Sequence, residues 1–194
     1  MTGVSNLANQ ALLIMDLQNG IVRRLSSEKA ESLLTLLASA TTAARKAKTQ
    51  VIYVRVAFRP GAPEISRRNQ SFSNLASSTT MDETDDATQI HPAISPLPGD
   101  IVVVKRRVSA FSGSDLDVVL RSLGIDSLVL AGIATSGVVL STLRQAADLD
   151  FALTVLEDGC ADMDPEVHRV LVEKVYPRQA KVTTVSEWVH SLGS

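Results

Sequence analysis

At 194 residues with a formal net charge of −2, the chain is long enough to bury one substantial core and too short for two comfortable domains, so one domain over 1–194 is expected. The balance of 45% hydrophobic and 21% charged residues is that of an ordinary globular protein, and its near-neutral charge gives no electrostatic footprint for nucleic acid or an anionic membrane. A single cysteine, Cys160, forbids an internal disulfide or a thiolate metal cluster and points to a reducing, cytoplasmic setting. The opening "MTGVSNLANQ" has no basic segment leading into an apolar core, so no secretory signal is expected. No apolar run reaches the roughly 18 residues of a membrane span.

In chain order, six short runs rich in branched aliphatic residues lack the alternation of half-exposed strands and predict strands buried on both faces. They are "ALLIM" at 11–15, "VIYVRV" at 51–56, "IVVVK" at 101–105, "SLVLAGI" at 127–133, "FALTVLE" at 151–157 and "KVTTV" at 181–185. Helix-like stretches at 28–48, 114–123, 137–149 and 164–175 lie between most of them. Strands alternating with helices predict an α/β fold, three layers with a mostly parallel six-stranded Rossmann-like sheet. The connection 59–100 breaks the rhythm with several prolines and a polar run, "SSTTMDETDD". A connection of that length is expected to act as a lid or a subunit contact, or else is a passive mobile insertion.

Ligands of open α/β sheets bind beyond the carboxyl ends of the strands. The first strand ends at Asp16, the third at Lys105, and the fourth runs into "IATSGV". A buried carboxylate needs a partner, and Lys105 supplies one; alone, Asp16 reads equally well as a turn residue. Burial and the lysine act in opposite senses on its protonation, and together the pair can shuttle a proton. The small residues after the fourth strand permit a sharp turn whose free N–H groups suit an anion or oxyanion, although Thr135 or Ser136 also reads as a plain N-cap.

The ordered set "LLIMDLQNG", "IVVVKRRVSAF", "LVLAGIATSGVV" and "LEDGCAD" resembles the isochorismatase-like superfamily, also called cysteine hydrolases, over nearly the whole chain. The resemblance implies a six-stranded parallel sheet with helices on both faces and a homodimer or homotetramer acting on a small-molecule substrate. In the amidase branch of that family an Asp, a Lys and a Cys form a triad; these map onto Asp16, Lys105 and Val138. A cis peptide characteristic of the family maps onto Ile133–Ala134, with the N–H groups of Ala134 and Val138 as an oxyanion hole.

Valine supplies no nucleophile, so the resemblance implies a member without the catalytic cysteine. Cys160 maps onto a place where the family often has a structural cysteine. The metal signal of nicotinamidases is missing from "RVAFRPGAPE", and His91, His168 and His190 are scattered, so neither metal nor other cofactor is expected. Isochorismatases in the same family need no thiol: the Asp protonates the alkene carbon of a vinyl ether and water attacks the resulting oxocarbenium. The isochorismatases also carry Tyr and His where this chain has Ala134 and Ser136, which speaks against isochorismate itself.

Arg59 falls where that branch has a polar substrate-contacting residue, able to hold a carboxylate bidentately, or it is an exposed loop arginine. Phe111 aligns with an aromatic wall of the pocket, or is a packed core aromatic. With Thr135 and Ser136 these complete the expected substrate contacts. The sequence therefore predicts Asp/Lys acid–base hydrolysis of a small anionic metabolite, or else a silent relative kept as a small-molecule binder or scaffold.

Overall fold

A computed structural model describes residues 9–73 and 81–193. The N-terminal segment tested above for a signal and part of the polar run in the long connection lie outside the described residues.

Six strands, β1 (Gln10–Met15), β2 (Gln50–Val56), β3 (Ile101–Lys105), β4 (Ser127–Ile133), β5 (Ala152–Ala161) and β6 (Lys181–Thr183), form one sheet in the order β3-β2-β1-β4-β5-β6. Every neighbouring pair is parallel. Alternate side chains of β1 enter different cores: Ala11, Leu13 and Met15 on one face, Leu12 and Ile14 on the other. Both faces are covered by helices, which is why the strand sequence is apolar without a break. Chain order reverses between β1 and β4, so the crevice at their carboxyl ends is the topological switch point.

Helix α1 (Asn19–Val22) follows β1, and α2 (Ser27–Lys46) packs its Leu33, Leu34 and Leu37 into the second core. Helices α3 (Leu116–Ser122), α4 (Leu140–Asp148), α5 (Pro165–Val170) and α6 (Val185–Ser191) complete the set used below. The sequence misses α1, one turn long, and α6, which replaces the end of the expected last strand. Thr184 and Glu187 form a capping box there, and the Thr184 side chain accepts from the Glu187 amide, so the chain turns helical at 185.

Strand β5 also runs on past its expected end at 157. Its register with β4 jumps from Leu130↔Val155 to Gly132↔Cys160, so a bulge absorbs residues 156–159 before pairing resumes. The resumed pairing puts Asp162 beside the turn that follows β4. Within 59–100, Phe58 bridges to Asp82 and Gln18 to Ile90, and Phe72 packs edge-on against Phe58 at 5.6 Å. Among the described residues, no helix is long and apolar enough to cross a membrane.

Candidate active site

Asp16 stands at the end of β1 with φ +59°, a left-handed conformation that Asp tolerates better than most side chains, and its amide donates to the Val54 carbonyl at 2.8 Å. Directly alongside, Gly132 of β4 has φ +150°, and a Cβ there would lie 2.2 Å from the Met15 carbonyl oxygen. Glycine is what lets β4 approach the backbone bearing Asp16 this closely.

Lys105, at the end of β3, reaches across β2, and its Nζ lies 2.9 Å from Asp16 Oδ2. The same ammonium donates to the carbonyls of Arg107 and Val108, each at 3.0 Å, so all its donors are used. Both side chains are buried, Lys105 to 2% exposure and Asp16 to 8%. The other carboxyl oxygen, Asp16 Oδ1, is buried without a hydrogen-bond partner. Burial pushes the Asp16 carboxyl above the ordinary carboxylate range, outweighing the pull of Lys105 in the other direction.

The turn after β4 is the third component. The Ile133–Ala134 peptide is cis, and Thr135–Val139 wind as a π-helical turn in which the Val139 amide donates to the Ala134 carbonyl at 3.3 Å. Asp162 holds this turn from outside, its Oδ2 accepting from the Ser136 amide at 2.7 Å. Burial opposes the charge on Asp162, but hydrogen bonds from the amides of Ser136, Asp164 and Met163 win and hold its carboxyl below the ordinary range. Thr135 is fully buried and faces away from the cavity: its Oγ1 meets His168 Nδ1 at 2.8 Å, and its carbonyl accepts from the Tyr176 hydroxyl at 2.6 Å. Burial lowers the His168 pKa, favouring the neutral imidazole.

Asp16, Lys105 and the turn meet in a cavity of about 330 Å³, whose wall also includes Ala134, Ser136, Gly137 and Val138. Ile21, Val56, Phe72, Val108 and Met163 make the wall largely apolar, and Arg24 and Asp162 complete its polar part. Five of the eight residues singled out from sequence are thus brought together: Asp16, Lys105, Ala134, Ser136 and Val138.

Three are directed elsewhere. Arg59 is not in the wall; its guanidinium pairs with Glu64 at 2.6 Å, because the turn at 59–64 folds that carboxylate back onto it. Phe111 belongs to the first core, 6.0 Å from the Phe151 ring, so its packed-aromatic alternative holds. Thr135 supports the turn from behind. Conversely, Arg24, Phe72 and Asp162 were missed. The only sequence signal for Asp162 was its place at the end of a strand, and none marked the other two.

Cys160 is 5% exposed in the first core, and burial pushes its thiol up to about 12. Among the described residues, no group of three or more His, Cys, Asp or Glu side chains is arranged to hold a metal ion.

Comparison with known proteins agrees with this fold. The isochorismatase domain model matches residues 10–187. The isochorismatase family protein YecD of Escherichia coli O157:H7 is 32% identical over 188 residues, covering 96% of this chain and 98% of its own. Ureidoacrylate amidohydrolase RutB of Stutzerimonas stutzeri is 32% identical over 177 residues, covering 80% of this chain and 71% of its own. An isochorismatase family protein from Burkholderia thailandensis superposes with a TM-score of 0.83 at 28% identity, covering 96% of this chain and 97% of that one. The chain belongs to the isochorismatase family and is a hydrolase of that family.

Proposed function

We propose that the enzyme hydrolyses a small anionic metabolite by proton transfer at Asp16, with Lys105 as its electrostatic partner and no cysteine nucleophile. The observation that carries this reading is that Asp16, whose Oδ1 is buried without a hydrogen-bond partner, lines the same cavity as Val138. Burial favours the protonated form of this carboxyl, the form that donates a proton, and an oxygen free of protein partners is available to a substrate atom.

For a vinyl ether, the Asp16 proton goes to the terminal alkene carbon as the double-bond electrons form the new C–H bond. The ether oxygen stabilises the oxocarbenium left behind. Water adds to that carbon and returns its proton to the Asp16 carboxylate. The hemiketal then separates into a carbonyl compound and an alcohol. Lys105 balances the carboxylate charge while it exists, and the amides of Ala134 and Val138, with the Ser136 side chain, are assigned to the alcohol oxygen, which gains negative charge as it leaves the hemiketal and takes up the hydroxyl proton. RutB is an amidohydrolase, but Val138 offers no nucleophile for amide cleavage through a thiol, and a thiol pushed up to about 12 at Cys160 is a poor substitute. We further infer one cytoplasmic domain assembling as a homodimer or homotetramer, which sedimentation can check.

The test is turnover of a panel of carboxylate-bearing vinyl ethers and amides. Wild type should hydrolyse vinyl ethers, Asp16→Asn should lose that activity, and iodoacetamide should leave it intact. Undiminished turnover by Asp16→Asn, or its loss on alkylation, overturns the reading.

A further inference from the structure

Arg24 borders the cavity that holds Asp16, and no step at Asp16 uses it. The segment that carries it is fixed. The Gln18 side chain donates to the carbonyls of Val56 and Thr88, both at 2.8 Å, and accepts from the Val56 amide at 2.8 Å. Asn19 Nδ2 donates to the Asp86 carbonyl at 3.0 Å, and Arg23 pairs with the Asp86 carboxylate at 2.8 Å. Successive residues of a helical turn point about 100° apart. With Arg23 drawn outward to Asp86, Arg24 is left at the cavity.

Its guanidinium has no carboxylate partner among the described residues. The nearby cations are already engaged: Lys105 with Asp16 and two carbonyls, Arg106 with Glu83 and the Ala57 carbonyl, Arg107 with the Glu64 carbonyl. Asp162, the other acid in the wall, directs its oxygens to the amides of Ser136 and Asp164. The rest of the wall is mainly apolar, and a volume of about 330 Å³ suits a ligand of modest size.

We propose that Arg24 is the specificity-determining anchor of this cavity and that its ligands are small carboxylates. The carboxylate sits on Arg24, the apolar body lies against Phe72, Val108 and Val138, and the reactive end meets Asp16. This deepens the reading of Asp16 as the proton donor and assigns the anion-binding role expected of Arg59 to a different residue.

Calorimetric titration with benzoate and its uncharged match, benzamide, tests the proposal apart from any turnover. Wild type should bind benzoate at least about 10-fold more tightly than benzamide, as charge-assisted paired hydrogen bonds predict. Arg24→Gln should lose that preference with benzamide binding unchanged. Arg24→Lys should keep part of it, since lysine restores charge without the planar fork. Arg59→Gln should match wild type. Arg24 is exposed, so an unchanged melting temperature is expected to verify the fold of its variants.

Benzoate binding equal in Arg24→Gln and wild type overturns the proposal, as does no measurable binding at millimolar benzoate or an equal loss in Arg59→Gln. Asp16→Asn separates the two ideas. If it leaves turnover intact, the acid–base reading fails, while its retained preference for benzoate upholds the anchor.

Discussion

At Asp16 two influences of opposite sign meet in one carboxyl, and the sign of each is testable. Burial raises its pKa and the Lys105 ammonium lowers it, with burial the larger. A proton donor works in its neutral form, so turnover is expected to fall as pH rises through the pKa of Asp16 in the folded enzyme. Lys105→Gln removes the attraction of a full charge 2.9 Å away and leaves the burial. The alkaline limb should then move to higher pH by about one unit or more, the usual effect of losing a close opposite charge. A pH–rate profile read from kcat in both proteins decides this; a limb displaced downward would show that another group titrates. Both residues were legible in sequence because each ends an apolar strand, where an ionised side chain has to be explained. Arg24 was not. Nothing in "DLQNGIVRR" distinguishes it from Arg23 until the Asp86 contact, 63 residues on, claims one of the two.

Among the elements, the inner strands were legible because burial on both faces leaves unbroken aliphatic runs; β3, read by the same pattern, is an edge strand with Val102 exposed, and β3 and β4 have the bounds the sequence gives them. The end of β5 was hidden by Asp158 and Gly159, which the bulge accommodates. Asp158 is used there: its carboxylate accepts from the Val185 amide at 2.7 Å and ties the bulge to the start of α6. The close pairing of β1 with β4 depends on Gly132. Gly132→Ala puts a methyl group 2.2 Å from the Met15 carbonyl, at a φ of +150° that alanine disfavours. Because the obstruction is backbone, it cannot be relieved by a rotamer change. The strands must part, at an expected cost of about 2–4 kcal/mol. Met15 precedes Asp16, so the displacement should reach the Asp16–Lys105 distance, and turnover should fall more steeply than the loss of folded protein explains. Urea denaturation alongside kcat measures both. Wild-type stability in the alanine variant would mean that β1 and β4 do not need this approach.

For the whole molecule, the single cysteine turns global stability into a chemical signal. Cys160 pairs with Gly132 near the carboxyl end of β5, 5% exposed, with its thiol pushed up to about 12, so at pH 8 it is largely covered and protonated. Cys160 packs with residues from several elements of the first core and borders a cavity of about 450 Å³, so its packing and its raised pKa are what hold it back from reagent. Iodoacetamide should therefore label the native enzyme only through global opening, at least about 10³-fold more slowly than the unfolded chain, given the usual range of domain stabilities. Urea should accelerate labelling in step with unfolding. A bound carboxylate should slow it by the factor 1 + [L]/Kd, since ligand withdraws protein from the opening equilibrium. Val138→Cys provides the contrast: a thiol of similar bulk in the wall of the Asp16 cavity should be alkylated under native conditions while Cys160 is not, and benzoate should protect it directly. Mass spectrometry of peptides containing each position follows both reactions in one sample. Fast native labelling at Cys160 in the wild type would place that thiol within reach of solvent and reopen it as a nucleophile, whereas equal, slow labelling at both positions would mean that the cavity beside Val138 is closed to small molecules.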